Sequence, residues 1–370
     1  MAKIPLTVLT GFLGSGKSTL LWNLVHGGSD FGRLGVLVDE YSETGLDDRL
    51  VRDGADVSTR LVASLSEADL CKGVLSIIDE VECRFGGPPE RIILETSGLA
   101  DPELLVTNLS AHPFLRERIE LDCVIATVDA VNSAGAITKY NEALKQIALA
   151  DTIVMTKTDL VPETEMSGIR GAIQALNPTA ILEHSSLDAP AYSSLMGDRK
   201  CHSPDPAGRA VEWLRLKSLT PDNVAPPPGH GIRTYVLETE RTIDWTAFCI
   251  WLPMLLRTHG EAILRIKGIL NVVEANGPVA LHCVQGTIHP PNHLQPEESI
   301  AATQLLFMVD NNFDTNMLAK SLDIFIRLGK SDHLGKGQLS YRNVGGGGSV
   351  QGRPVRLPSA PAWIKGLDSL

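Results

Sequence analysis

The chain has 370 residues, 43% of them hydrophobic, and a formal net charge of −11. That length exceeds one ordinary core and implies two domains, the apolar fraction excludes a disordered chain, and the acidic balance without any basic stripe argues against a nucleic-acid partner. No apolar run is long enough to span a bilayer, no signal-peptide pattern opens the sequence, and the six cysteines form no C-x-x-C pairs, so a cytoplasmic setting without a membrane partner is expected.

Ile4 to Thr10 is short, β-branched and bounded by glycine, and predicts a buried strand; Thr19 to His26 has helical spacing. Arg33 to Asp39 reads as a second strand, Glu40 to Ser66 as a polar stretch able to move, and Glu67 to Arg84 as a helix broken at Gly86 to Pro89. Arg91 to Leu94 is a third buried strand ending at Glu95. Leu121 to Val128 and Asp151 to Met155 give two more, with helical segments between them and a helix over Pro162 to Leu176. Strands alternating with helices predict an α/β fold, a mostly parallel sheet covered on both faces.

The pattern fails from Ser185 to Pro228, which has linker chemistry. A second unit follows: a strand over Ile232 to Glu238, a helix over Trp245 to Thr258, strands over Ala262 to Val272, Val279 to Ile288 and Gln304 to Val309, and a helix over Thr315 to Leu328. The expected organisation is a nucleotide-binding domain over 1–185, a linker over 186–228, a smaller α+β domain over 229–328 and a loose Gly/Pro-rich tail over 329–370.

Gly11 to Ser18 read G-F-L-G-S-G-K-S, a complete phosphate-binding loop between the first strand and the first helix. Gly11, Gly14 and Gly16 let the backbone curl and aim N–H groups at phosphate oxygens, with Ser15 and Thr19 in the same cradle. Lys17 reaches the β and γ phosphates, and Ser18 binds magnesium. Glu95-Thr96-Ser97-Gly98-Leu99-Ala100-Asp101-Pro102 follows a buried strand, where Glu95 serves the magnesium shell or the attacking water and Gly98 presents its N–H to the γ phosphate. In Thr156-Lys157-Thr158-Asp159, Asp159 accepts from the N1–H and exocyclic amine of guanine, which selects GTP over ATP. Asp39-Glu40-Tyr41 opens the stretch that would close over the γ phosphate, and Glu40 is a further carboxylate candidate for a metal.

With these motifs in this order, the chain resembles the CobW-type GTPases, the metallochaperone branch that also includes nitrile hydratase activators. The likeness continues through Leu176 to Ala180, Leu264 to Gly268 and Val284 to His289, and so covers the chain to about Leu328. The resemblance implies slow GTP hydrolysis with Mg2+, coupled to delivery of a divalent metal or activation of a client metalloenzyme. Two departures stand out. The family's base-reading motif begins with Asn, which braces the phosphate loop, where this chain has Thr156, so weaker nucleotide binding is expected. The family's C-x-C-C motif, whose thiolates hold zinc or cobalt, falls at Leu61, Ala63 and Ser64; no cysteine precedes Cys71, so the thiolate site is expected to be lost.

Glu40, Glu43 and Asp47, or His230, His282, His289 and His293, are the other conceivable metal ligands. A solvated loop face explains the carboxylates, and His282 and His289 fall on opposite faces if they share one strand. Cys123 and Cys249 lie in apolar surroundings and read as buried thiols. Cys201-His202 falls in the linker. Arg265 and Lys267 share one strand face, either a contact surface for the nucleotide domain or a partner, or a solvated face. No arginine is identifiable as a supplier of transition-state charge, so slow turnover accelerated by a partner is expected. The alternatives are a nucleotide-gated binding module that hydrolyses GTP negligibly and docks on a client, and an ATP-using phosphotransferase, against which Asp159 argues.

Overall fold

The structure, a computed structural model, describes residues 3–26, 32–39, 57–185, 231–273, 275–284, 286–288, 291–294, 302–310, 312–328 and 339–344. In the first half, strands β1 (Ile4–Gly11), β2 (Leu34–Asp39), β3 (Val57–Val62), β4 (Arg91–Glu95), β5 (Ile119–Asp129), β6 (Thr152–Thr156) and β7 (Ile181–Ser185) form one parallel sheet in the order β3-β2-β4-β1-β5-β6-β7. Every residue of β2, β6 and all but one of β1 and β4 is buried, as a sheet covered on both faces requires. Helices α1 (Lys17–His26), α2 (Glu67–Phe85), α3 (Pro102–Ala111), α4 (Pro113–Arg118), α5 (Ser133–Lys139), α6 (Asn141–Leu149) and α7 (Glu163–Leu176) supply the crossovers and cover.

Helix α2 shows how local sequence sets an element. Ser66 caps its start by accepting from the Asp69 N–H, Glu67 and Asp69 favour its positive end, and Gly86 closes it at φ +76°, donating to the Glu82 carbonyl. Its buried stripe of Leu70, Val74, Ile77, Ile78 and Val81 packs onto Leu37, Val62 and Ile92 of the sheet.

The second sheet is antiparallel: β8 (Ile232–Thr239), β9 (Ile263–Leu270), β10 (Val279–Val284), β11 (Thr287–Ile288), β13 (Thr303–Asp310) and β14 (Leu339–Val344) run in the order β11-β10-β9-β13-β8-β14, and β12 (Asn292–His293) pairs with β10. Helices α8 (Trp245–His259) and α9 (Thr315–Leu328) cover one face, where Trp251, Phe248, Leu318 and Leu322 meet Ile266 and Phe307. The other face carries Ile232, Val236, Leu264, Val284, Leu306 and Met308 into the same apolar cluster as Leu144, Ile147, Ile173 and Leu176 of α6 and α7. Each such side chain contributes about 1.5–3 kcal/mol relative to exposure, so the two sheets are joined by shared core. No helix among the described residues is long and apolar enough to cross a membrane.

Several expectations need correction. The polar reading of Glu40 to Ser66 missed β3, an edge strand that buries Val57, Ser58 and Val62 while Arg60 and Leu61 face outward. β7 was also not anticipated, because Ile181 is exposed and its neighbours are only half-buried. The strand expected over Val279 to Ile288 is two, folding back antiparallel so that Val284 pairs with Thr287. This removes the single-strand argument about His282 and His289, the latter lying outside the described residues. The tail expected to be loose contains β14, whose six residues pair with β8. Cys249 is exposed, not buried: α8 is apolar nearly all round, and Ile250 and Met254 share its outward side.

Candidate functional site

Parallel strands all end on one edge of the sheet, where ligands of α/β folds sit. β1 delivers the glycine loop there, β2 delivers Asp39, β4 Glu95, β5 Asp129 and β6 Thr156. Gly11, Gly14 and Gly16 adopt φ of +144°, +69° and +90°, conformations that a side chain would strain. At Gly11 space also excludes a side chain, since a Cβ would lie 2.3 Å from Thr127 Oγ1. Ser15 Oγ pairs with that same hydroxyl at 2.6 Å, tying the loop to β5.

Lys17 is buried at the start of α1 and donates to the carbonyls of Gly11 at 2.9 Å and Phe12 at 3.3 Å. Ser18 donates to Glu95 Oε1 at 2.6 Å, which brings a hydroxyl and a carboxylate together beside the loop. An oxygen donor set of this kind fits a magnesium ion. Thr19, in the first turn of α1, is exposed. Asp39 Oδ2 accepts from the Ser97 N–H at 3.2 Å, so the segment after β4 is held from β2 as well. Gly98 lies against Leu13: a Cβ there would stand 2.7 Å from the Leu13 nitrogen, and only glycine permits that approach.

The segment that follows β6 braces the loop as well. Thr156 Oγ1 donates to the Ser15 carbonyl at 2.7 Å. Threonine at this position thus still ties the segment after β6 to the loop. Lys157, at φ +56°, donates to the Gly14 carbonyl at 2.9 Å and to Asp129 Oδ2 at 2.7 Å. Burial pushes the Asp129 carboxyl upward, but bonds from Lys157, Asn132 and the Val131 N–H outweigh it and hold its pKa below the usual carboxylate value. Asp159 sits in a short 3₁₀ turn, Thr158–Leu160, and is exposed beyond the loop.

Thus the structure brings together Gly11, Ser15, Gly16, Lys17, Ser18, Glu95, Gly98, Thr156 and Lys157. Sequence reasoning missed Asp129, although a carboxylate ending an apolar strand is the same signal that singled out Glu95, and it missed Gln146 of α6, whose side chain donates to Gly98 and Ala100. Glu40, Glu43, Asp47, His230 and Cys201-His202 lie outside the described residues. Replacing Thr156 with valine is expected to keep the fold and weaken GTP binding about five- to tenfold, the worth of one buried hydrogen bond to the loop; titration calorimetry measures it.

At the positions matching the family's thiolates, Leu61 and Ala63 are exposed and offer no ligand. Ser64 Oγ donates to Asp69 Oδ2 at 2.6 Å, and Ser66 adds a second bond to that oxygen. These bonds hold the Asp69 pKa below its usual value. Among the described residues no group of three or more His, Cys, Asp or Glu side chains is arranged to hold a metal ion. Arg265 and Lys267, read as one polar face, meet the nucleotide domain. Arg265 is fully buried and bonded to the Leu149 and Ala150 carbonyls and Asp151, while Lys267 lies 3.3 Å from Asp151.

Residues 5–183 match the family described as CobW/HypB/UreG, nucleotide-binding domain, and residues 232–326 match the cobalamin synthesis protein cobW C-terminal domain. The chain is 32% identical over 275 residues to the zinc chaperone YjiA of Escherichia coli strain K12, covering 73% of this chain and 82% of that protein. It is 29% identical over 182 residues to zinc-regulated GTPase metalloprotein activator 1 of Schizosaccharomyces pombe, covering 47% of this chain and 44% of that one. The crystal structure of Zn(II)-bound YjiA GTPase from E. coli is similar with a TM-score of 0.60 at 23% identity, over 88% of this chain and 99% of that chain, a likeness of fold.

Proposed function

Since the chain belongs to the CobW/HypB/UreG nucleotide-binding family and carries the CobW C-terminal domain, we propose that it binds and slowly hydrolyses GTP with Mg2+ and couples that cycle to metal delivery or to activation of a client metalloenzyme. The observation that carries this reading is the Ser18–Glu95 pair at 2.6 Å beside a glycine loop whose φ angles suit a phosphate cradle. Gly11, Gly14, Ser15, Gly16 and Thr19 line the phosphates, Lys17 meets the β and γ oxygens, and Ser18 with Glu95 holds the magnesium shell. Magnesium supplies charge neutralisation of the phosphates when bound. Asp159 takes the two donors of guanine, and Thr156 and Lys157 keep the loop in place. Glu40, as the residue after Asp39, is a candidate for the same shell.

Leu61, Ala63 and Ser64 leave no thiolate set, so the metal handled is held by other groups or passes through the client. Zinc titration of the GTP- and Mg2+-loaded chain is expected to show no tight site. A tight stoichiometric one would overturn the loss. Calorimetry with GTP, GDP and ATP in the presence of Mg2+ tests the nucleotide assignment: GTP binding, a strong preference over ATP, and loss of that preference in Asp159→Ala are expected, whereas undetectable GTP binding would sink the reading. With no arginine assigned to the transition-state charge, turnover by the purified chain is expected to be far below one per second, in the range of phosphate-loop GTPases awaiting an activator. The alternative of a binding module with negligible hydrolysis rests on Thr156 and on the missing thiolates; Thr156 still braces the loop through Ser15, which weakens the first of these grounds.

A further inference from the structure

Gln146 is the polar exception on the inner side of α6. It is 1% exposed among Ala143, Ile147 and Ala148, and its Nε2 donates to two carbonyls of the turn after β4, those of Gly98 at 3.2 Å and Ala100 at 3.1 Å. Its Oε1 is buried without a protein partner, and the residue lines a small cavity of about 40 Å³ together with Phe12, Leu13 and Ser15 of the glycine loop. An apolar side chain would fill this place without leaving an acceptor unsatisfied. What the amide supplies is two donors, and both go to backbone on one side of Glu95. The preceding residue of α6 reinforces them: Lys145 pairs with Asp101 at 2.6 Å. Asp39 holds the opposite end through the Ser97 N–H. The peptides of Ser97 to Ala100 are therefore fixed from both sides while Gly98 lies against Leu13.

We infer that Gln146 is a positioning residue for hydrolysis: by holding the Gly98 and Ala100 carbonyls it orients the Gly98 N–H toward the γ phosphate, and it does so from a helix whose C-terminal end is held by Arg265 of the second domain. The Gly98 carbonyl and N–H flank one soft pair of backbone angles, so fixing one restricts the other. GDP has no group at that position, and its binding does not draw on Gln146. The inference rests on the reading of Gly11 to Ser18 as the nucleotide site.

The test compares the full-length chain with Gln146→Met, which keeps the volume and removes both donors, and Gln146→Glu, which keeps the shape and replaces the amide. GDP affinity by calorimetry is expected to stay within about twofold in both, while the single-turnover rate of GTP hydrolysis falls about tenfold or more, equal to the loss of one orienting interaction. Equal losses of GDP and GTP affinity together with a lower unfolding midpoint would make Gln146 merely structural and overturn the inference. So would an unchanged rate in the methionine variant. Failure of the unaltered chain to bind GDP would overturn the nucleotide reading itself, and with it this one.

Discussion

Replacing Arg265 with leucine is expected to lower the unfolding free energy by about 3–5 kcal/mol at neutral pH, the range found when one partner of a buried ion pair is removed. The guanidinium is fully buried between the two domains. It donates to the Leu149 carbonyl at 2.5 Å and the Ala150 carbonyl at 2.9 Å, so it closes the C-terminal end of α6, where a positive charge is favoured. It also pairs with the Asp151 carboxylate and meets His282 Nε2 at 3.0 Å; arginine can only donate, so that ring nitrogen accepts and the imidazole proton sits on Nδ1. Leucine would leave the Leu149 carbonyl and much of the Asp151 carboxylate without this donor, while Asn177 Nδ2 still donates to the Ala150 carbonyl at 2.9 Å and Lys267 at 3.3 Å and the Val124 N–H remain on Asp151. Denaturant unfolding measures the loss, and a double replacement that also removes the Asp151 charge is expected to recover part of it.

The same pair sets an acid dependence. Burial pushes the Asp151 carboxyl upward, but the charges of Arg265 and Lys267 outweigh it and hold the folded pKa well below the ordinary value of about 3.9. A depressed folded pKa means stability that is complete above the unfolded value and lost as pH falls below it. Unfolding midpoints taken between about pH 6 and pH 3 should therefore drop at the acid end in the parent chain. In Arg265→Leu the burial effect is opposed by less charge, so the acid loss should shrink. An Arg265→Leu chain as stable as the parent, with the same acid profile, would show that the domains do not depend on this contact.

The site was legible where its chemistry coincides with a local rule. Glycines, a lysine and a serine between an apolar strand and a helix place the loop, and a carboxylate after an apolar run places Glu95. What the sequence hides is what covers a face. Arg265 and Lys267 read as one polar face equally well whether water or another domain lies against it, and only the apolar side of the second sheet, seated on α6 and α7, decides. Gln146 reads as an ordinary polar position in a helix because its partners are main-chain carbonyls, which have no sequence identity. β3 and β14 escaped notice for a related reason: an edge strand needs only one neighbour, so V-S-T-R-L-V and L-S-Y-R-N-V can pair without the apolar run of a central strand. Helix α8 failed in the opposite direction, since a helix apolar nearly all round does not show which side faces out, and Cys249 fell on the exposed one.

Lys17→Ala is expected to weaken nucleotide binding by orders of magnitude while barely changing stability, the reverse of Arg265→Leu. Lys17 Nζ is bonded to the Gly11 and Phe12 carbonyls, neutral acceptors of its own loop. Phosphate oxygens are charged acceptors, and bonds to charged groups contribute about 1.5–3 kcal/mol each against about 1 for neutral ones. Exchanging the loop carbonyls for β and γ oxygens is therefore favourable, and two such bonds lost to alanine correspond to about 3–6 kcal/mol, roughly two to four orders of magnitude in affinity. The apo fold loses little. The loop stays tied through Ser15 to Thr127, Thr156 to Ser15 and Lys157 to Gly14. Calorimetry with GTP and Mg2+, set beside denaturant unfolding of the same sample, separates the two effects. If Lys17→Ala bound GTP as tightly as the parent chain, the phosphates would have to lie elsewhere, and the roles of Ser18 and Glu95 would fall with that of Lys17.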